Sequence, residues 1–340
     1  MPTLKAPAAL PATQAEANLV IDPVAVNAVL IAVRQAAQLL CDRWTLLILL
    51  AAHGGVTRFA DFRERCGAAN RLLSSRLLML EEEEVVVRLA YMRRPLRHGY
   101  HLTHMGLALF DVFAAMLRWE QRWHGDGTSQ GKSPGHGLGL RIEHLACGHK
   151  AVHPVVACAV CQQAVSPRET DLFISQKEMR QMPQKATAYR RSTITVARVD
   201  LPHTVPLPHS VDIFGDKWSI EVLMCAFLRV STFGAIQAHT GISTGILTDR
   251  LARLGASGLL QQNTTAEGQR RGAYRLTEKG LDLFPVLVCI EAWADEWQRN
   301  RYRSPMHLTH RPCGQPLKLL LRCDRCAEPL QRGGCNLHSG

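Results

Sequence analysis

The sequence repeats a set of short motifs at one constant spacing. Asp-Arg-Trp at residues 42–44 recurs as Asp-Lys-Trp at 216–218, and Tyr-His-Leu-Thr at 100–103 recurs as Tyr-Arg-Leu-Thr at 274–277, in both cases 174 residues later. Each copy is followed by His-x-x-Cys-Gly and then by Cys-x-x-Cys. An ordered repeat of this length indicates two copies of one module, so the fold and the function have to be inferred from that module.

The composition fits two folded modules with appendages. The chain has 340 residues, of which 46% are hydrophobic, and this is enough for more than one buried core. Its longest apolar runs, at 46–52 and 284–290, are far shorter than a membrane span, and the N-terminus lacks the pattern of a signal peptide. We therefore expect a cytoplasmic protein without a membrane partner. The formal net charge of +11 favours polyanionic partners such as nucleic acid.

Each copy has the hydrophobic pattern of three helices, a two-stranded hairpin and a closing helix. Leu73, Leu77 and Leu80 in the third helix have the spacing of one buried face, and the second copy repeats this spacing. Thr103 and Thr277 precede the closing helices as N-caps. This order predicts a mainly α fold with small β wings, in which two tandem winged helix-turn-helix domains are each followed by a small zinc ribbon.

The segment boundaries follow from changes in composition and periodicity. The predicted segments are a flexible N-terminal arm at 1–28, a first winged-helix domain at 29–124, a first ribbon-like tail at 140–165, a basic linker at 166–207, a second winged-helix domain at 208–300 and a second ribbon-like tail at 306–332. A short helix is expected within the linker, near residues 174–182.

Both tails carry the ligand spacing of a tetrahedral zinc site. In each tail two pairs of ligands, three residues apart within a pair, supply three cysteines and one histidine. The predicted ligands are His144, Cys147, Cys158 and Cys161 in the first tail, and His310, Cys313, Cys323 and Cys326 in the second. A filled set leaves no open position for water, so we predict two structural Zn²⁺ ions, one per tail. A reversible disulfide switch and a lost metal are the alternatives. The other five cysteines have no counterparts between the copies and are expected to be buried apolar residues.

The third helix of each module is the predicted recognition helix. The face opposite its leucines is polar, and such a helix fits the major groove with side chains on base edges. The hairpin is basic and suits contacts with phosphate or the minor groove. The predicted DNA-binding residues are Asn70, Arg71, Ser74, Ser75, Arg76, Arg93, Arg94 and Arg97 in the first copy, and Ser243, Thr244, Thr248, Arg250, Arg270 and Arg271 in the second. A solvated face in a protein-binding winged helix is the alternative.

Four glutamates, at 81–84, lie at the end of the first recognition helix, where the second copy has Gly-Ala-Ser-Gly at 255–258. Acids near the DNA backbone repel phosphate. We therefore expect the second module to contribute modestly more of the DNA affinity, with the richer basic hairpin of the first module as a partial offset.

The combination of these motifs resembles the HxlR family of bacterial transcriptional regulators. The resemblance covers about residues 33–123 and 208–297 and rests on the Asp-Arg/Lys-Trp motif, the Leu-Leu-Ser-Ser-Arg-Leu and Ile-Leu-Thr-Asp-Arg-Leu helices and the Tyr-x-Leu-Thr-x-x-Gly segment. The resemblance implies that the winged helices bind DNA and that homodimers form through the closing helices. Some members of the family also have ribbon-like tails. Two features depart from the family pattern: Glu84 stands where the family often has the glycine kept as Gly258, and no cysteine precedes Cys41 to sense electrophiles.

These patterns together predict a sequence-specific transcriptional regulator that binds double-stranded DNA through two non-identical modules, and not an enzyme. The resemblance implies an intramolecular pseudo-dimer or a homodimer, with the tryptophans of the closing helices packed between modules rather than forming a ligand cage. The sequence names no small-molecule effector. The alternative function is that of a winged-helix protein–protein interaction module with a degenerate first copy.

Overall fold

The computed structural model describes residues 23–94, 96–125, 140–181, 205–262, 272–298 and 303–339. The first module comprises α1 (Pro23–Leu40), α2 (Arg43–His53), α3 (Phe59–Cys66), α4 (Asn70–Glu82), β1 (Val86–Arg93), β2 (Leu96–Leu102), α5 (His104–Leu107) and α6 (Phe110–His124). The first tail comprises β3 (Leu140–His144), β4 (Pro154–Cys158), β5 (Thr170–Ile174) and α7 (Gln176–Gln181). The second module comprises α8 (Pro208–Phe214), α9 (Lys217–Phe227), α10 (Phe233–Thr240), α11 (Thr244–Ala256), β6 (Leu260–Gln262), β7 (Tyr274–Leu276), α12 (Glu278–Leu281) and α13 (Phe284–Trp297). The second tail comprises β8 (Met306–His310), β9 (Gln315–Pro316), β10 (Leu319–Cys323) and β11 (Cys335–Ser339).

The two modules have the same local structure. Helices α2 to α5 recur as α9 to α12 with both ends displaced by 174 residues, which supports two copies of one module. Asp42 and Asp216 cap α2 and α9, each accepting a hydrogen bond of 3.0 Å from a backbone N–H three residues on. Thr103 and Thr277 are N-caps as predicted, but of the one-turn helices α5 and α12 that precede the long closing helices. None of the described helices is long and apolar enough to cross a membrane.

The leucine stripe of each recognition helix lies in the core of its module. Leu73, Leu77 and Leu80 of α4 are fully buried, and the matching leucines 247, 251 and 254 of α11 are buried as well. Helices α4 and α11 therefore present their opposite, polar faces to solvent. This confirms the predicted orientation of both helices.

The N-terminal helix of each module packs on the other module. Helix α1 lies against α9, α10 and α13, and the shorter α8 lies against α2 and α6. Helix α1 begins at Pro23, six residues before the predicted start of the domain, because Val26 and the residues that follow bury an apolar face. Residues 1–22 of the predicted arm lie outside the described residues.

Two buried carboxylates join the modules. Glu221 of α9, with 1% of its side chain exposed, accepts a hydrogen bond of 2.8 Å from Arg34 of α1. Glu120 of α6 accepts from the backbone N–H groups of His209 and Ser210, at 3.0 and 2.9 Å, at the start of α8. Burial by itself would raise the pKa of Glu120, but the hydrogen bonds from His209 and Ser210 outweigh burial and hold this pKa below its ordinary value.

The two tails are interleaved, and this corrects the expectation of one separate ribbon after each module. In the described strands, β3 pairs with β11, β4 with β10 and β5 with β8, all antiparallel, so each of these ladders joins one tail to the other. The packing of α6 against α13 brings the tails together. Strand β5 shows that residues 170–174 belong to this sheet structure rather than to a linker. The short helix α7 lies where the sequence placed one, and residues 182–204 lie outside the described residues.

Candidate nucleic-acid interface and metal centres

The polar face of α4 is exposed along the first two turns of the helix. The exposed residues that were predicted to contact DNA on this helix are Asn70, Arg71, Ser74 and Ser75. Asn70 is the first helical residue, so its amide lies at the positive end of the helix dipole. An exposed asparagine amide can form hydrogen bonds with the edge of adenine in the major groove.

The second recognition helix presents hydroxyl groups where α4 begins with an amide and a guanidinium. Ser243 occupies the N-cap position of α11, and Ser243, Thr244 and Thr248 are all exposed. The hydroxyl of Thr244 accepts a hydrogen bond of 3.0 Å from Gln237 of α10. The hydroxyl of Thr248 donates to the backbone oxygen of Thr244. These local hydrogen bonds orient the hydroxyl groups, and the resulting surface differs chemically from that of α4.

The hairpin formed by β1 and β2, which we call the first wing, is basic and exposed at its tip. Arg93, Arg94 and Arg97 are all exposed there. The corresponding Arg270 and Arg271 lie outside the described residues. The first wing is also apolar along its length, with Leu89 50% exposed and Leu96 63% exposed.

Helix α3 adds basic residues that sequence reasoning did not assign to the interface. Arg58, Arg63 and Arg65 are exposed on and beside this helix, and the guanidinium of Arg58 lies 5.1 Å from the ring centroid of Tyr91 in the first wing. The second module has Thr232, Gln237 and His239 at the matching positions. The three arginines are visible in the sequence, but only the fold places Arg58 beside the wing.

Arg76 and Arg250 require a correction, because neither guanidinium is free on the surface of its recognition helix. Arg76 donates to both carboxylate oxygens of Asp42, at 2.7 and 3.2 Å, and only 20% of its side chain is exposed. Arg250 is paired in the same way with Asp216, and 19% of its side chain is exposed. The backbones of Asp42 and Asp216 meet in an antiparallel bridge. The two arginines therefore tie the recognition helices to the contact between the modules.

The glutamates at 81–84 form the last residues of α4 and the turn that follows it, and they are partly engaged within the protein. Glu81 accepts a hydrogen bond of 2.8 Å from Arg88 of the first wing. Glu84 has a φ of 58°, and Gly258 has a φ of 71° at the same position in the second copy. Glycine reaches this left-handed backbone without the steric cost that a glutamate meets. The relative DNA affinity of the two modules stays a prediction.

Two clusters of cysteine and histidine lie in the interleaved tails. The first cluster consists of His144, Cys147, Cys323 and Cys326, and the second consists of Cys158, Cys161, His310 and Cys313. In each cluster the nearest ligand atoms all lie within 4.8 Å of one another. The eight residues are those predicted from the sequence, but their grouping is different. Each cluster takes one ligand pair from each tail, whereas the sequence prediction assigned both pairs of a tail to one ion.

The geometry of both clusters fits a tetrahedral ion. Metal–ligand bonds of zinc correspond to separations of about 3.8 Å between two sulfur ligands and about 3.5 Å between sulfur and nitrogen. In the first cluster Cys147 Sγ and Cys323 Sγ are 3.9 Å apart, and Cys326 Sγ is 3.4 Å from His144 Nδ1. In the second, Cys161 Sγ is 3.3 Å from Nδ1 of His310.

The orientation of His310 also suits a metal ligand. Its Nε2 lies 3.2 Å from the backbone oxygen of Ala164. A proton on Nε2 donates to this oxygen and leaves Nδ1 free to coordinate, which is the usual support for a ligating histidine. Three thiolates and one imidazole form the donor set of a closed, structural zinc site.

The remaining cysteines are buried, as predicted. They are Cys41, Cys66, Cys225, Cys289 and Cys335. Burial raises the pKa of both Cys66 and Cys225 to about 12, so these thiols stay protonated at neutral pH and are poor nucleophiles.

Comparison with known proteins gives two matches to one family, one in each module. Residues 39–128 and 213–302 match the HxlR-like helix-turn-helix family. The uncharacterized HTH-type transcriptional regulator Rv3095 of Mycobacterium tuberculosis is 32% identical over 121 residues, which are 36% of this chain and 77% of the relative. The uncharacterized HTH-type transcriptional regulator sll1512 of Synechocystis is 34% identical over 96 residues, 28% of this chain and 71% of the relative. The HTH-type transcriptional regulator YodB of Bacillus subtilis is 34% identical over 89 residues, 26% of this chain and 80% of the relative. Each match covers most of the relative, but none covers much more than a third of this chain. Each of these relatives is therefore long enough for one module, whereas this chain has two.

Proposed function

The chain belongs to the HxlR-like helix-turn-helix family of DNA-binding transcriptional regulators, and we propose that one chain binds an operator made of two unlike half-sites. The observation that carries this proposal is the pair of exposed recognition faces on two modules that are packed against each other. A single-module protein supplies two recognition helices only by pairing two chains. This chain carries both on one polypeptide.

The two faces support unlike half-sites. Asn70 and Arg71 at the start of α4 offer an amide and a guanidinium, whereas α11 begins with Thr244 and Gly245. Asparagine and arginine form bidentate contacts with adenine and guanine, respectively, which threonine and glycine cannot form. The first module is therefore proposed to specify its bases more strictly than the second.

The first wing and α3 are proposed to contact the phosphate backbone. The arginines at the wing tip are exposed, Arg58 lies beside the first wing, and Arg63 and Arg65 are exposed on α3. Phosphate contacts position a protein on the duplex and carry the salt dependence, whereas base contacts carry the specificity. The two clusters of the tails are proposed to hold structural Zn²⁺, which would supply folding energy and no reaction step.

The proposal is tested by selecting bound duplexes from a random pool and then measuring affinity against salt concentration. We expect enrichment of one asymmetric site, bound with one chain per duplex. Binding of two chains to a palindromic site would contradict the intramolecular arrangement and support a homodimer.

Variants separate the two kinds of contact. Arg93→Ala with Arg94→Ala should weaken binding to every sequence and reduce the slope of log affinity against log salt by about 1.8, since about 0.9 is expected for each lost phosphate contact. Asn70→Ala should instead change which bases are preferred in one half-site. Arg141→Ala, which removes an exposed charge in the tails, is the control and should change neither quantity.

A protein-interaction module is the second candidate function. The observation that favours it is the exposed apolar length of the first wing, represented by Leu89 and Leu96, since exposed apolar residues mark surfaces that bind proteins. Selection without sequence enrichment and without a salt dependence would support this candidate and overturn the regulator.

A further inference from the structure

We propose that the two metal centres cross-link the two modules, each ion being held by one ligand pair from each tail. This inference rests on the zinc binding proposed above and adds what the metal connects. Residues 144 and 147 of the first tail share a cluster with 323 and 326 of the second, and residues 158 and 161 share one with 310 and 313. In both clusters, therefore, the pair that contains the histidine comes from one tail and the Cys-x-x-Cys pair comes from the other.

The strand register places the two Cys-x-x-Cys pairs at opposite ends of one ladder. In the antiparallel ladder of β4 and β10, Cys158 lies opposite Leu319 and Cys323 lies opposite Pro154. The two cysteines therefore stand at opposite ends of a five-residue ladder, about 14 Å apart at the usual rise per residue. Cys147 Sγ lies 3.9 Å from Cys323 Sγ, and therefore at the end of the ladder far from Cys158 of its own tail. One ion cannot bind both Cys147 and Cys158, because its ligands lie within about 2.3 Å of it.

The two ligand pairs that contain a histidine lie at opposite ends of the same ladder, because Cys147 contacts Cys323 and Cys313 contacts Cys158. His144 ends β3, which pairs with β11 of the second tail, and its Nδ1 lies 3.4 Å from Cys326 Sγ. His310 ends β8, which pairs with β5 of the first tail, and its Nδ1 lies 3.3 Å from Cys161 Sγ. Each histidine thus reaches the cysteine pair of the other tail. Ligation within one tail would require this sheet structure to come apart.

Crossed ligation means that each metal ion connects the two modules of the chain. Each tail follows the closing helix of its own module, so an ion bound to both tails links the first module to the second. Each link joins ligands that are far apart in sequence, for example Cys147 and Cys326, and such a link restricts the unfolded chain strongly. Metal binding is therefore expected to stabilise the placement of one recognition helix relative to the other.

Two double variants distinguish crossed ligation from ligation within a tail. Cys147→Ser with Cys326→Ser removes two ligands from one crossed cluster, and Cys147→Ser with Cys161→Ser removes one ligand from each. Zinc per chain is measured by elemental analysis after desalting, with helical circular dichroism as the check on folding. Cys66→Ala, which changes a buried cysteine outside both clusters, is the control and should keep the zinc content of the unmodified chain.

We expect two zinc ions in the unmodified chain, one in Cys147→Ser/Cys326→Ser and none in Cys147→Ser/Cys161→Ser. The reverse order, none and then one, would show that each tail holds its own ion and would overturn the inference while leaving zinc binding intact. A chain purified without any metal would overturn both. None of these measurements involves DNA, so failure of the regulatory function would not affect them.

Amide hydrogen exchange provides a second measurement on the same proteins. In Cys147→Ser/Cys326→Ser, crossed ligation predicts faster exchange in β3 and β11 beside the first cluster, while β5 and β8 beside the second cluster keep their protection. Exchange that is equally faster in β5 and β8 would contradict the cross-link, because ligation within each tail loses both ions in this variant. Exchange in the buried helices α2 and α9 serves as the internal reference, since both belong to the cores of the modules.

Discussion

The indole Nε1 of Trp119 donates a hydrogen bond of 3.0 Å to the backbone oxygen of Lys279 in the other module. Trp293, 174 residues later, donates a hydrogen bond of the same length to the backbone oxygen of Met105. Because 105 and 279 also differ by 174, the two hydrogen bonds are equivalents of each other. The modules therefore contact each other with pseudo-twofold symmetry, in the manner of a dimer whose two subunits lie on one chain.

This symmetric pair leads to the first prediction. Trp119→Phe and Trp293→Phe should each destabilise the protein by about 1–3 kcal/mol, because each leaves a carbonyl in the interface without its donor. Urea unfolding monitored by circular dichroism measures the change. Trp297→Phe is the matched control, since Trp297 is 37% exposed, and its effect should be small. Equal effects at all three positions would contradict the assignment of these hydrogen bonds to the interface.

The second prediction concerns the arginines of the recognition helices. Arg76→Ala and Arg250→Ala should each lower the free energy of unfolding by about 1 kcal/mol or more, because each leaves the capping carboxylate of Asp42 or Asp216 without its partner. The salt dependence of DNA binding should stay as in the unmodified chain. A smaller salt slope with unchanged stability would show that these arginines contact phosphate after all.

The third prediction compares position 84 with its equivalent at 258. Glu84→Gly should stabilise the protein by about 0.5–1 kcal/mol, because glycine adopts the left-handed backbone at this position without steric cost. Gly258→Ala should destabilise it, as its φ of 71° is unfavourable for alanine. Thermal unfolding of the two variants measures both effects. Loss of stability in Glu84→Gly would mean that interactions of the glutamate outweigh its backbone strain.

The fourth prediction is a loss of stability in mild acid. Burial, with a contribution from nearby Arg332, lowers the pKa of His53 to about 3, and its Nε2 lies 3.0 Å from the backbone oxygen of Gly106. In the unfolded chain this histidine binds a proton below about pH 6.5. The stability that neutral His53 contributes is therefore complete above pH 6.5 and is lost as the pH falls towards 3.

At pH 5.5 the expected loss from this group is about 1.4 kcal/mol relative to pH 7.5. It is measured as the difference in unfolding free energy between the unmodified chain and His53→Gln, whose amide can still donate to Gly106. Taking this difference removes contributions from the metal ligands and from the other histidines. A difference that does not change between the two pH values would show that the pKa of His53 is the same in the folded and the unfolded chain.

Local patterns determined the elements of each module and the identity of the metal ligands. The repeat, the leucine stripes and the capping residues act within a few positions along the chain, so they predict helices and hairpins without knowledge of the rest of the fold. The spacing of His144 with Cys147, and of Cys158 with Cys161, likewise depends only on the local turn. The same holds for the exposed faces of α4 and α11, which follow from helical periodicity.

The tertiary structure alone decided which of these local units meet. Two ligand pairs of one tail look sufficient for one ion in the sequence. The fold instead places Cys147 beside Cys323, at the end of the β4 and β10 ladder that is far from Cys158. Arg76 likewise has the spacing of an exposed helical residue, and only the packing of α4 against α2 brings it to Asp42. Sequence spacing carries no information about such partners, which are 34 residues apart for Arg76 and Asp42 and 176 apart for Cys147 and Cys323. Those contacts depend on how the helices pack within a module and on how the two modules pack together.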